Sequence, residues 1–259
     1  MIIIVTGATS GIGRETAQQL VKQGHTVYSF SRSVKDDQGI HYLTCDLRRL
    51  EDIQKAIEQV IQEQGHIDCL INNAGMGISG AIEAHTAEEI STIMDTNLLA
   101  PIHLTRLCIP YLRKTKGRVI FVSSVAGEIT IPFQTMYSLT KSALIRFAEG
   151  LKNELRPYGV QVSCILPGDT KTGFTENRVK SKDETEYGNR IQHSVEKMEK
   201  DEKKGMPAKK IANKIVKLVK KKHPPLVCTV GFSYHFLLVL SKILPKRMVN
   251  AIVYRIYAK

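Results

Sequence analysis

Tyr137 and Lys141 are the side chains whose types and spacing most directly suggest chemistry. Four residues apart, they share one face of a helix. A phenol ionises near pH 10 and is a poor base at neutral pH. An ammonium beside it favours the phenolate, and the positive charge of an oxidised hydride carrier adds to this, so a depression of roughly 2–3 units, about 3–4 kcal/mol, is expected for Tyr137. Such a group can pass a proton to or from an oxygen that changes between carbonyl and alcohol, provided a hydride arrives at the carbon. Tyr-x-x-x-Lys also arises by chance, so the pair needs support from its surroundings.

A hydride carrier would be held at the other end of the chemistry. Thr6-Gly7-Ala8-Thr9-Ser10-Gly11-Ile12-Gly13 follows an apolar run and opens a helical one. Glycines allow a tight turn and close backbone approach, and a helix N-terminus offers free N–H groups to a pyrophosphate. The end of the next apolar run chooses between the two nicotinamide dinucleotides. A carboxylate there would bind a ribose 2′-hydroxyl and repel a 2′-phosphate. The sequence instead has Ser31-Arg32-Ser33, and a guanidinium suits a phosphate by charge and fork geometry. NADP(H) is the expected cofactor, and no metal site is expected.

The elements that must position these groups follow from periodicity. Residues 2–5, 26–30, 41–45, 69–72, 119–122, 160–165 and 226–230 are short apolar runs that predict strands. Residues 14–23, 50–64, 87–114 and 138–156 carry helical periodicity between them. Such alternation predicts an α/β fold with a parallel sheet and right-handed crossovers. The 259 residues suit one large α/β unit, taken here as 1–230 with an extension over 231–259.

The glycine pattern, Asp46-Leu47, Asn72-Asn73-Ala74-Gly75, Asn97, Ser124, Tyr137-x-x-x-Lys141 and Pro167-Gly168 stand in the order of the short-chain dehydrogenase/reductase family. Residues 1–172 resemble that family densely and the rest loosely. The resemblance implies a Rossmann-type doubly wound sheet of about seven parallel strands and no separate substrate domain. A homodimer or homotetramer and interconversion of a ketone with a secondary alcohol are implied as well. Asp46 would meet the adenine amino group, Leu47 would lie beside the ring, and Asn73, Ala74 and Gly75 would line the adenosine ribose and central strand. Ser124, thirteen residues before Tyr137, would orient the reacting oxygen, and adjacent Ser123 would be the wrong serine by that spacing. Lys141 would also hold the nicotinamide ribose. Asn97, where an amide among leucines could otherwise be only a helix-packing contact, is taken by the resemblance to hold a water that continues the proton path. Pro167, Gly168, Thr170 and Thr172 would cradle the carboxamide. Thr170 replaces a more usual valine or isoleucine and would act through its backbone. Asp169 reads as a turn residue with no chemistry.

The last quarter is distinctive. The net charge of +12 resides entirely in residues 201–259, which hold 14 Lys/Arg and 2 Asp/Glu, whereas residues 1–200 are balanced. A polar, charged segment at about 174–206 is expected to be a mobile cover over the substrate. Pro207 begins a helix with Ile211, Ile215, Leu218 and Val219 on one face and lysines around the other. An apolar run from Phe232 to Leu244 then ends at Pro245, too short and interrupted to span a bilayer, and Met248 to Tyr257 carry apolar residues at helical spacing flanked by Lys246, Arg247, Arg255 and Lys259. They suit peripheral contact with an anionic membrane, or packing on the protein or a second subunit. An apolar cover favours a hydrophobic carbonyl or alcohol substrate such as a steroid, a retinoid or a long-chain 3-keto lipid. A 3-oxoacyl-thioester reductase is the alternative enzyme, and a non-catalytic NADP-binding regulatory protein the alternative of another class. Nucleic acid is not an expected partner, because no stacking platform accompanies the lysines. Five unpaired cysteines and no signal peptide predict a cytoplasmic protein.

Overall fold

The structure, a computed structural model, describes residues 1–180 and 186–259. Seven strands form its main sheet: β1 (Ile2–Thr6), β2 (Thr26–Ser31), β3 (Ile40–Thr44), β4 (Cys69–Asn72), β5 (Arg118–Val122), β6 (Gln161–Leu166) and β7 (Val227–Thr229). They pair in parallel in the order β7-β6-β5-β4-β1-β2-β3, the doubly wound arrangement expected. The helices are α1 (Gly11–Lys22), α2 (Leu50–Gln64), α3 (Ala87–Met94), α4 (Ala100–Thr115), α5 (Thr135–Leu155), α6 (Arg190–Lys203), α7 (Ala208–Lys220), α8 (Phe232–Ile243) and α9 (Lys246–Tyr257).

Side chains of a strand alternate between faces, and both faces of this sheet are covered. Ile2 and Ile4 of β1 pack with Ile53 of α2, Leu104 of α4 and Leu144 of α5. Ile3 and Val5 pack on the opposite face with Leu20 of α1 and Ile215 of α7. Every residue of β1 is buried, which explains its uninterrupted apolar sequence. The lysines of α7 face outward while Ile211, Ile215, Leu218 and Val219 are buried, as the periodicity requires.

From β1 the chain moves to β2 on one side, and it later returns to β4 on the other. The loops leaving β1 and β4 therefore diverge and open a crevice at the carboxyl edge of the sheet. Gly7 sits at its base with φ +69°, and a side chain there would lie 3.1 Å from the Cα of Ala74.

Several elements differ from expectation. The helix expected over 87–114 is interrupted by a π-helical turn, Asp95–Leu99, between α3 and α4. Such a turn shifts the phase of the side chains that follow, commonly at functional positions. Helix α5 starts at Thr135 rather than 138, so Tyr137 lies in its first turn. Helix α1 starts at Gly11 rather than 14, directly on the glycine turn. The segment expected as a polar cover contains a fourteen-residue helix, α6, that buries Ile191, Val195 and Met198. Before it, Val179 and Lys180 pair with Ile78 and Ser79. Positions 181–185 of that expected cover lie outside the described residues.

The loop after β5 holds a short 3₁₀ turn, Val125–Gly127, pressed against α5. A methyl group on Gly127 would lie 2.8 Å from the carbonyl carbon of Lys141, so the loop and helix would have to part. Gly127→Ala is expected to cost about 1–3 kcal/mol in a urea titration followed by circular dichroism. An unchanged midpoint would show that this contact does not set the position of α5.

Candidate active site

One large cavity, about 910 Å³, runs from the glycine turn at α1 to the inner faces of α8 and α9. Ser124, Tyr137 and Lys141 meet at its middle. Ser124 ends the strand–loop transition after β5, with extended backbone that turns its hydroxyl from the sheet edge toward the cavity. Its hydroxyl accepts from the Ala126 amide at 3.1 Å and is hydrogen-bonded to the Tyr137 phenol. Ser123 points elsewhere and donates to the Lys141 carbonyl at 2.7 Å, which ties β5 to α5. The serine excluded on spacing is thus the one that holds the helix.

Lys141 lies on the same side of α5 as Tyr137, with its Nζ 5.7 Å from the centre of the phenol ring. Its ammonium donates to the Val122 carbonyl at 3.0 Å, not to the phenol oxygen. Lys141 is buried and Tyr137 partly buried at the cavity wall, and the protein's own groups by themselves do not depress the phenol. Burial pushes Tyr137 up to about 12; the Ser124 hydrogen bond and the Arg178 charge oppose the rise, and Glu202 adds to it. Burial likewise lowers Lys141 to about 8, which leaves it protonated at neutral pH. Removing both from water outweighs their mutual influence, because the ammonium is satisfied by a carbonyl.

Asn97 is buried in the π-helical turn, and its amide is fully engaged with the backbone of Met76. Its Oδ1 accepts from the Met76 amide at 2.8 Å, and its Nδ2 donates to the Met76 carbonyl at 2.8 Å. The same Nδ2 lies 3.3 Å from the Thr140 hydroxyl of α5. A side chain on Gly75 would meet Asn97 Oδ1 and Lys141 Nζ at 3.3 Å each, so the three positions converge. The side chain of Asn97 therefore couples the β4 loop to α5.

The nucleotide half is organised by Thr6, which sequence reasoning did not single out. Its hydroxyl accepts from the Asn73 and Ala74 amides at 2.9 Å each, while Asn73 Nδ2 donates to the Thr6 carbonyl at 2.9 Å. This clamp fixes the edge between β1 and β4. Thr9, Ser10, Gly11 and Ile12 line the cavity, and Ser10 caps α1 without a side-chain hydrogen bond. The amides of the first turn are thus left to face a ligand. Gly13 is buried at the root of α1 and is outside the cavity lining.

At the far edge, Ser31, Arg32, Ser33, Asp46 and Leu47 also border the cavity. Arg48 forks onto Asp46 with its Nε at 3.0 Å, and that pair lowers the Asp46 carboxyl to about 2. Arg14 forks onto Asp37 with its Nε at 3.0 Å. Arg32 is exposed and makes no ion pair among the described residues. Pro167, Gly168, Thr170 and Thr172 form the opposite wall, where Thr170 donates to the Gly168 carbonyl at 2.8 Å. Thr172 packs against Gly11, which closes the floor. The glycine turn, its free amides and this floor fit a dinucleotide: Gly7 to Gly11 would hold the pyrophosphate and Asp46 the adenine, while Lys141 and the Thr170–Thr172 loop would take the nicotinamide end. Among the described residues, no group of three His, Cys, Asp or Glu is placed to hold a metal ion.

Two more residues enter the site unannounced by sequence. Tyr234 of α8 lies over Gly168, accepts from the Asp169 amide at 2.9 Å and donates to the Asp169 carboxylate at 2.7 Å. Burial raises the Asp169 carboxyl, and no ion pair satisfies it among the described residues. Asp169 is therefore more than the turn residue expected. Its contact with α8 spans 65 positions of sequence, which no local pattern reveals.

A profile of the short chain dehydrogenase family matches residues 1–183. The 3-ketodihydrosphingosine reductase of Bacteroides thetaiotaomicron is 40% identical over 246 residues, which cover 93% of this chain and 91% of that one. Among solved structures, a short-chain dehydrogenase of Streptomyces avermitilis is 26% identical with a TM-score of 0.85, covering 98% of this chain and 94% of its own. The closed form of serine dehydrogenase with NADP+ shares the fold at 22% identity and a TM-score of 0.77, over 89% and 94% of the two chains. The sheet, the crevice at its switch point and the Ser124–Tyr137–Lys141 cluster thus sit in a chain that belongs to the short-chain dehydrogenase family of oxidoreductases.

Proposed function

We propose that this protein uses NADP(H) to reduce a ketone on a long-chain, lipid-like substrate to the secondary alcohol. The observation that carries this reading is the cavity itself. The Tyr137 phenol and the Ser124 hydroxyl meet within it, and beyond them it is walled by aliphatic side chains of α8 and α9, including Leu240, Leu244, Val249 and Val253. An oxygen held at Tyr137 would leave a hydrocarbon chain along that wall, where burial of each methylene contributes about 0.8 kcal/mol. The similar reductase of Bacteroides is named for a lipid ketone, which supports the same class here.

With its pyrophosphate on the glycine turn and its nicotinamide end at Lys141 and the Thr170–Thr172 loop, a reduced dinucleotide would supply the hydride for the carbonyl carbon. Tyr137 gives its proton to the oxygen, and Ser124 donates a hydrogen bond to the oxygen as charge grows on it. The Tyr137 phenol is protonated at neutral pH, so it holds the proton that the reducing direction requires. Lys141, still protonated with its group near 8, then faces the phenolate that remains. Asn97 positions α5 for this exchange through Met76 and Thr140. Asp169 adds a preference: its carboxylate lines the cavity, accepts from Tyr234 and makes no ion pair among the described residues, which suits a substrate with an ammonium beside the ketone, as in a 2-amino-3-keto lipid.

NADP(H) rests on Arg32, whose guanidinium is exposed and makes no ion pair among the described residues, while Arg14 and Arg48 are taken by Asp37 and Asp46. An even oligomer is also proposed, supported by exposed Leu99 and Leu139 on the central helical layer. The free thiols of all five cysteines, four of them buried, support a reducing, cytoplasmic setting.

Turnover followed by nicotinamide absorbance against a ketone panel tests the chemistry. Long-chain ketones with a 2-amino group are expected to be the best substrates, and Tyr137→Phe is expected to lower turnover by about 10²–10⁴-fold with nucleotide binding retained. Undiminished turnover in that variant would refute the role of the phenol, and binding without turnover by the natural chain would favour a regulatory protein. For the cofactor, Arg32→Asp is expected to weaken NADPH by roughly 10–100-fold and leave NADH little changed. A natural chain that already binds NADH more tightly contradicts the assignment.

A further inference from the structure

Helices α8 and α9 are held to the protein by one face only. Leu238 joins the main core, Tyr234 docks on Asp169, and the Ala258 carbonyl accepts from Arg190 at 2.7 Å. Their other face is apolar and open: Phe232 is 84% exposed, Ile243 73%, Phe236 58% and Met248 50%. Nine of the sixteen large apolar side chains exposed among the described residues lie on these two helices, and six of them are outside the cavity lining. Scattered single exposures are ordinary, but a concentration of this kind marks a contact surface.

The charge beside it has one sign. Residues 203–259 contain 14 Lys/Arg and no Asp or Glu. Lys242, Lys246 and Arg247 are exposed at the turn between the helices, next to Ile243 and Met248. A second copy would bring the same cations against themselves, whereas an anionic lipid surface accepts both the cations and the apolar side chains. Among the described residues no helix is long and apolar enough to cross a bilayer, so the pair would lie on it.

We infer that the outer face of α8 and α9 docks on an anionic lipid surface, with the cavity mouth turned toward the bilayer. The inner faces of the same helices wall the cavity through Leu240, Leu244, Val249 and Val253, so a lipid ketone passes from the membrane to Tyr137 without crossing water. As a substrate route this rests on the lipid-ketone reading; as a surface it does not.

Co-sedimentation of the full chain with vesicles of phosphatidylcholine mixed with phosphatidylglycerol is the test, beside vesicles of phosphatidylcholine alone. Partition is expected on the anionic vesicles and is expected to fall as salt rises. The double variant Lys246→Glu, Arg247→Glu should weaken it roughly tenfold or more, and Phe232→Ser with Ile243→Ser should weaken it on every vesicle. Both variants should turn over a water-soluble ketone at the natural rate, since none of these residues lines the cavity. Equal partition on the two vesicle types, or variants that partition like the natural chain, overturns the proposal. So does concentration-dependent self-association that the apolar variant abolishes while no vesicle is bound. Vesicle binding with no reduction of an embedded lipid ketone would leave the surface standing and sink the substrate reading instead.

Discussion

A cation and a phenol must share a space from which water has been largely removed, and the structure is arranged around that constraint. Burial pushes each group toward its neutral form: Tyr137 rises to about 12, and Lys141 falls to about 8 yet stays protonated at neutral pH. Proton transfer then depends on where the remaining polar partners are held. Ser124 gives the phenol a hydrogen bond, and Val122 gives the ammonium a carbonyl. Neither contact survives if α5 moves relative to β5. Ser123 and the close approach of Gly127 fix that distance, and Asn97 fixes the helix against the β4 loop.

The rest of the fold supplies direction. Because the sheet order reverses between β1 and β4, the crevice opens at the edge where Thr6 clamps Asn73 and Ala74. The same edge carries the first turn of α1 and the loop from Pro167 to Thr172, so a dinucleotide site and the phenol share one cavity. Helices α8 and α9 complete its far wall with aliphatic side chains. One end of the cavity therefore suits phosphates and sugars, and the other suits hydrocarbon.

Much of this frame was legible in residue patterns because it follows local periodicity. Residues 50–64 and 69–72 form the helix and strand expected, since a strong apolar face and a short, fully buried run leave little choice. The glycine turn, Ser124, Tyr137 and Lys141 likewise meet in one cavity, having been recognised by order and spacing. What escaped was set by tertiary contact. The π-helical turn at Asn97 is a change of backbone register that side-chain periodicity does not record. The upward push of burial on the Tyr137 phenol is likewise invisible in sequence, because depth is set by tertiary packing. Thr6, Asp169 and Tyr234 act across 65 or more positions, and α6 was masked by a charged sequence whose few apolar residues fall on one buried face.

The central claim concerns the charge state of one ring, and its ionisation can be read directly. Ultraviolet difference spectra of the natural chain minus Tyr137→Phe isolate that phenol. In the protein alone the ring should stay un-ionised until about pH 12. Saturation with the oxidised nucleotide, which brings a positive charge into the cavity, should lower its ionisation by roughly 2–3 units. A ring that ionises near the ordinary tyrosine value in the free protein, or one indifferent to the nucleotide, would contradict the account.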